Sequence, residues 1–176
     1  MGQNYEQKII GEGSFGKVFR IEKNSEVYAL KECPQDKETT QNEFEIVQKI
    51  MTHKIQSLHI VFFHMIYQKK NKNYYLMENM SQGDFQQVLD SQIMIGDKKL
   101  LKCLAYQLLD GLSHIHECYG FAHGDFGPKN ILMRKINNEF FFKLADFGSA
   151  VMTENFSIST KIGILILFIC LPALIL

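Results

Sequence analysis

The sequence predicts an α+β fold in two unequal parts: an antiparallel five-stranded layer carrying one helix, then a mainly helical part. Three observations carry this expectation. Short runs rich in Val, Ile, Phe and Tyr, separated by turn residues, occupy most of positions 5 to 77. One stretch of helical period interrupts them at 40 to 52. Beyond the break Ser81-Gln82-Gly83-Asp84 the apolar spacing lengthens to that of helices.

Three strands are expected between Tyr5 and Lys31. Ile9 and Ile10 precede a glycine-rich turn, Val18, Phe19 and Ile21 follow it, and Val27 to Leu30 lie beyond an Asn24-Ser25 turn. From Thr40 to Thr52, Phe44, Val47 and either Ile50 or Met51 recur at three-to-four spacing, as on a helix packed by one face. Two more strands fit Ile60 to Tyr67 and Tyr74 to Met77, divided by the polar run Gln68 to Asn73 of an exposed hairpin. In the second part, Leu101, Leu104, Ala105, Leu108, Leu112 and Ile115 form an apolar stripe on a helix from Leu100 to Glu117. Short strands at Ile131 to Met133 and Phe140 to Leu144 flank an Asn137-Asn138 turn and would bring Asn130 close to Asp146.

Composition bounds the function classes. The 176 residues suit one domain, and 46% apolar with 22% charged residues is ordinary globular chemistry. Lys plus Arg and Asp plus Glu both number 19, so no basic excess marks a nucleic-acid surface, and no nucleic-acid partner is expected. Cys33, Cys103, Cys118 and Cys170 are widely spread, with no C-x-x-C pair and no N-terminal signal pattern; free thiols in a reducing cytoplasm are expected. Met1-Gly2 could invite myristoylation, but Glu6 stands where that motif wants Ser or Thr.

Four motifs carry chemistry. Gly11-Glu12-Gly13-Ser14-Phe15-Gly16-Lys17-Val18 is a glycine-rich turn whose small residues let backbone amides approach phosphates. A dinucleotide-binding reading would require a helix at its third glycine, and Val18-Phe19-Arg20-Ile21 is strand-like instead. Lys31 closes the strand Val27-Tyr28-Ala29-Leu30-Lys31, and Glu43 and Glu45 compete as its partner on the following helix. The run His123-Gly124-Asp125-Phe126-Gly127-Pro128-Lys129-Asn130 sets chemically different residues at fixed offsets, and Asp146-Phe147-Gly148 follows after one hairpin. Any one of these has a bland reading, a strand-end lysine or a turn-forming aspartate; the ordered set does not.

In that order and spacing, residues 5 to 163 resemble the eukaryotic-type protein kinase catalytic domain, nearer its Ser/Thr form because of Pro128. The resemblance implies a two-lobed fold: an N-lobe and hinge over 1–80, a partial, mainly helical C-lobe with catalytic loop and the start of the activation segment over 81–163, and an apolar tail over 164–176. It implies ATP and Mg2+ as cofactors and a protein Ser or Thr hydroxyl as acceptor. By resemblance Asp125 is the base, Lys31 paired with Glu43 holds phosphates, and Asn130 and Asp146 hold metal. Gly11, Gly13, Ser14, Phe15, Gly16, Val18, Ala29, Lys31 and Leu132 would surround the nucleotide. Met77 would be the gatekeeper, with the Glu78 carbonyl and Met80 amide at the adenine edge. His123 and Phe147, with Val47 and Phe63, match the hydrophobic spine of the family. Glu43 suits the register better than Glu45 because Val47 then lies one turn on, on the inward face.

Two positions depart from the family. Gly124 replaces the arginine that pairs with an activation-loop phosphate, so switching by that phosphate is not expected. Gly127 replaces the lysine that neutralises the transferring group, a placed charge of the kind that decides about 2–4 kcal/mol of barrier. Lys129 points elsewhere and would disfavour basic peptides. The resemblance stops after Gly163, where the chain reads Ile164 to Leu176 with no charge. Three readings compete for this tail: a membrane anchor, although a span wants about 20 residues and Pro172 counts against it; a buried core element without amphipathic period; and a translated out-of-frame or intron segment, which the abrupt loss of resemblance favours. Phosphoryl transfer to protein Ser/Thr is the expected function. The alternatives are an ATP-binding pseudokinase or interaction module without turnover, and a membrane-tethered regulatory fragment.

Overall fold

The computed structural model describes residues 6–13, 16–36, 38–91 and 97–152. Five antiparallel strands form the N-terminal sheet: β1 (Glu6–Gly13), β2 (Gly16–Lys23), β3 (Glu26–Pro34), β4 (Phe63–Lys69) and β5 (Lys72–Glu78), in the spatial order β1-β2-β3-β5-β4. Two of their hairpins turn on consecutive residues of positive φ, Asn24-Ser25 and Lys70-Asn71, the backbone signature of tight turns that match the twist of the strands they join. The 68–73 connection is therefore tighter than its polar composition suggested, and β5 begins at Lys72.

Helix α1 (Glu38–Thr52) packs behind the sheet, burying Thr40, Glu43, Ile46, Val47 and Ile50 on one face. Residues 60 to 62 were expected to open β4, but they belong to the junction between lobes. The Val61 amide donates to the Leu144 carbonyl at 3.0 Å and the Leu144 amide to the His59 carbonyl at 2.9 Å. Pairing with the second lobe satisfies these backbone groups, and Ile60 and Val61 are buried by it.

The second lobe is built on α2 (Phe85–Ser91) and α3 (Lys98–His114), with β6 (Phe121–Ala122), the hairpin β7 (Ile131–Ile136) and β8 (Glu139–Leu144), and β9 (Val151–Met152). Asp97 caps α3, its Oδ1 accepting from the amides of Lys99 and Leu100 at 3.0 Å. The helix buries Leu100, Leu104, Gln107, Leu108, Gly111 and Leu112. Leu101 and Ala105 are only half-buried, so the buried face is centred one position away from the expected stripe. Gln107 explains the shift. Its amide donates to the Phe140 carbonyl and accepts from the Phe142 amide, which locks α3 to β8 through a buried polar residue that apolar counting overlooks. The helical period also breaks after His114, where Ile115–Tyr119 form a wider π turn closed by Gly120 at φ 71°. The Asn137-Asn138 turn lies where expected, again with both φ positive.

Candidate active site

The site lies where β3, α1, the loop after β6 and the turn after β8 meet. The Lys31 Nζ donates to Glu43 Oε1 at 2.6 Å and lies 3.4 Å from Asp146 Oδ1. The Lys31 and Glu43 side chains are nearly enclosed, while that of Asp146 is about a third exposed. Strand alternation brings Lys31 inward from β3, and helical register brings Glu43 to the inner face of α1 one turn before the buried Val47. Glu45 is exposed and accepts from Gln41.

Burial opposes the charge on Lys31, but the Glu43 and Asp146 carboxylates outweigh it and hold its pKa above the ordinary value. Burial raises Glu43 as well, with the Lys31 ammonium opposing. The two directions pull the pair apart, since one strengthens the cation and the other weakens the anion. The geometry decides between them. A 2.6 Å contact and a second carboxylate beside Lys31 make a charged pair. Under this network, burial pushes the Cys33 thiol up to about 12, so it sits there as a neutral apolar group.

Asp125 is exposed at the other wall of the cleft. Asn130 Nδ2 donates to the Asp125 carbonyl at 2.8 Å and to its Oδ2 at 3.0 Å, which fixes the carboxylate and leaves the Asn130 amide oxygen facing away from these bonds. Asp146 adopts φ 61°, a left-handed conformation rare for a non-glycine residue and held here by its surroundings. Hard oxygen atoms from a carboxylate and an amide are the donor set that magnesium prefers, so Asp146 and Asn130 fit that ion chemically.

Four side chains join the two walls. His123, Phe147 and Val47 are almost fully buried and Phe63 nearly so. Ring centroids are 5.2 Å apart for His123 and Phe147 and 6.4 Å for Phe147 and Phe63. His123 Nε2 donates to the Ala145 carbonyl at 3.0 Å, which sets its neutral tautomer, and its buried Nδ1 has no partner among the described residues. Burial lowers its pKa, so the ring packs as a neutral group.

Next to the glycine-rich turn, Val18 faces Lys31 across the β2–β3 ladder, and Ala29 faces Met77 across β3–β5. Ala29, Met77 and Met80 are buried, and Val18 and Leu132 pack against them half-covered. Gly11 and Gly13 lie in β1, Gly13 opposite Gly16. Gly16 has φ 138°, and a Cβ there would stand 2.0 Å from the Glu32 carbonyl oxygen, so only glycine fits. Ser14 and Phe15 lie outside the described residues.

Three features escaped the sequence reading. The Glu78 side chain accepts from the Phe62 amide at 2.8 Å and pairs with Lys143 at 2.5 Å and Arg134 at 3.6 Å, tying the hinge to both lobes. It also borders a recess of about 440 Å³ behind the hinge, which shares no other residue with the cleft. Asn42 on α1 bonds two carbonyls of the segment after Asp146. Gly124 has φ 79°, and a Cβ on it would stand 1.7 Å from the Ser149 carbonyl oxygen. No local pattern announces any of the three, since each depends on a partner 16 to 108 residues away.

Residues 5–163 match the family described as protein kinase domain. The chain belongs to the protein kinase family. This kinase domain is 33% identical over 147 residues to mouse serine/threonine-protein kinase Nek5, covering 81% of this chain and 22% of that protein. It is 31% identical over 152 residues to rat ribosomal protein S6 kinase alpha-1, covering 80% and 19%, and 30% identical over 158 residues to human serine/threonine-protein kinase greatwall, covering 84% and 16%. The chain thus spans less than a quarter of the length of these relatives. Among the described residues no helix is long and apolar enough to cross a membrane; the 164–176 tail lies outside them.

Proposed function

We propose that this kinase domain transfers the γ-phosphoryl group of ATP to a Ser or Thr hydroxyl of a protein. The observation that carries the reading is the Lys31–Glu43–Asp146 network together with an Asp125 carboxylate fixed by Asn130. Lys31, kept cationic and aimed by Glu43, would bind the nucleotide phosphates. Asp125 would orient the acceptor hydroxyl and take its proton as the oxygen forms a bond to the γ-phosphorus and the bond to the β–γ bridging oxygen breaks. Asn130 and Asp146 would hold Mg2+, which when bound neutralises charge on the phosphates. Gly11, Gly13, Ser14, Phe15, Gly16 and Val18 would cover the nucleotide, and Ala29, Met77, Leu132 and the backbone of Glu78 and Met80 would enclose its base. Residues 1–80 and 81–163 serve as the two lobes, and the spread thiols and balanced charge support a cytoplasmic location without a nucleic-acid partner.

One specific observation favours a second reading, nucleotide binding without turnover: Gly127 leaves the acceptor side of the loop without the family's cation. Label transfer from γ-labelled ATP by the purified chain, beside Asp125→Asn and Lys31→Met, separates the two. Transfer by the wild type that both variants lose supports phosphoryl transfer. Saturable nucleotide binding with no label in any sample supports the second reading.

A further inference from the structure

Helix α1 approaches the turn after Asp146 from three positions in its first two turns, Thr39, Asn42 and Glu43. The Thr39 carbonyl lies 3.7 Å from where a Cβ on Gly148 would stand. Asn42 Nδ2 donates to the Ala150 carbonyl at 2.8 Å and to the Gly148 carbonyl at 3.3 Å. The Phe147 backbone amide favours the charged form of the Glu43 carboxylate. The Asn42 NH2 group can serve two carbonyls from one atom because it carries two protons. Both neighbours accept only, which also fixes which end of the amide faces them. From Ala150 the chain runs directly into β9, whose Val151 and Met152 pair with Ala122 and Phe121 of β6, and β6 leads into His123 and Gly124. Gly124 closes this circuit, because its bare backbone lets the catalytic loop lie against Ser149.

We propose that Asn42 is a positioning residue that ties α1 to the segment after Asp146, so that Glu43, Asp146 and the catalytic loop are held in one arrangement by the chain's own backbone. The inference builds on the kinase reading above and adds a regulatory content to it: the arrangement needs no arginine at position 124 and no phosphate for one to hold. The tie acts through Glu43 and Asp146 and touches no substrate, so its loss should show in metal-dependent nucleotide affinity and in local opening.

The test compares the full chain with Asn42→Asp, which keeps the shape but offers two carbonyls only acceptors, and with Asn42→Ala, which is a better helix former and so keeps α1. Amide exchange over residues 145–152 reads the tie without any ligand, and titration with ATP in the presence and absence of Mg2+ reads its consequence. Exchange about tenfold faster over 145–152 is expected in both variants, the change that losing one ordinary hydrogen bond represents, with a larger effect for Asp. Affinity should fall with Mg2+ present and hold without it. Exchange over 145–152 that matches wild type in both variants would overturn the proposal. A wild type that binds no nucleotide would remove the kinase reading, while faster exchange in the variants would still establish the tie.

Discussion

The two walls of the cleft are built to different standards. On one wall Lys31 and Glu43 form a nearly enclosed ion pair 3.4 Å from the partly exposed Asp146, backed by a buried column of Val47, Phe63, Phe147 and His123. On the C-lobe side Asp125 is exposed, its side chain bonded to Asn130, and glycines stand at 124 and 127 where the family places cations. Holding a nucleotide and moving its phosphoryl group are thus separable demands. On the proposed reading the first would be met by the buried ion pair and packing, and the second would rest on one carboxylate with little electrostatic support around it.

The largest expected effect tests the stronger wall. Lys31→Met leaves the Glu43 carboxylate enclosed without its cation, which should destabilise the fold by about 3–5 kcal/mol in urea unfolding at pH 8. A loss under 1 kcal/mol would mean the network contributes little and the two walls do not differ. Gly127→Lys tests the weaker wall. Gly127 is extended, with φ −163° and nothing within 4 Å of a built Cβ, so the side chain fits. Single-turnover transfer should rise about 10²-fold, the scale of one placed charge-stabilising donor. An unchanged rate would show that the missing cation does not limit transfer.

The two glycines should also part company in stability. Gly124→Ala combines a positive φ with a 1.7 Å approach to the Ser149 oxygen and should cost about 1–3 kcal/mol, whereas Gly127→Ala should stay within about 0.5 kcal/mol. Equal losses in thermal or urea unfolding would contradict the close approach. The smallest effect is on pH. Burial holds the folded pKa of His123 below its unfolded value of about 6.5, so as pH falls the unfolded chain takes up the proton first. The contribution of His123 is complete above about pH 6.5 and drains away as pH falls from there. His123→Phe should flatten the decline in melting temperature between about pH 7 and 5; parallel curves would show that the ring does not titrate as a buried neutral group.

What was legible in the sequence follows from how local each signal is. Turn pairs such as Asn137-Asn138 and the alternation through β3 write their geometry within a few residues, and the sheet and its hairpins follow from them. Lys31 and Glu43 were readable because strand and helix registers fix which way each side chain points. The buried face of α3 was read one position off because Gln107, a polar residue, is buried to bond Phe140 and Phe142. The start of β4 was misplaced because Ile60 and Val61 are apolar for the sake of Leu144 in the other lobe. Asn42 and the Glu78 side chain look like solvated polar residues until their distant partners are known.

Nucleotide titration of the full chain, with and without Mg2+, is the most direct measurement, made on wild type, Asp125→Asn and Lys31→Met. Saturable binding that strengthens with Mg2+, survives Asp125→Asn and weakens about tenfold or more in Lys31→Met is expected, in line with the loss of a charge-assisted hydrogen bond. No binding by the wild type, or equal binding by Lys31→Met, would contradict a cleft whose assembled wall is a nucleotide site.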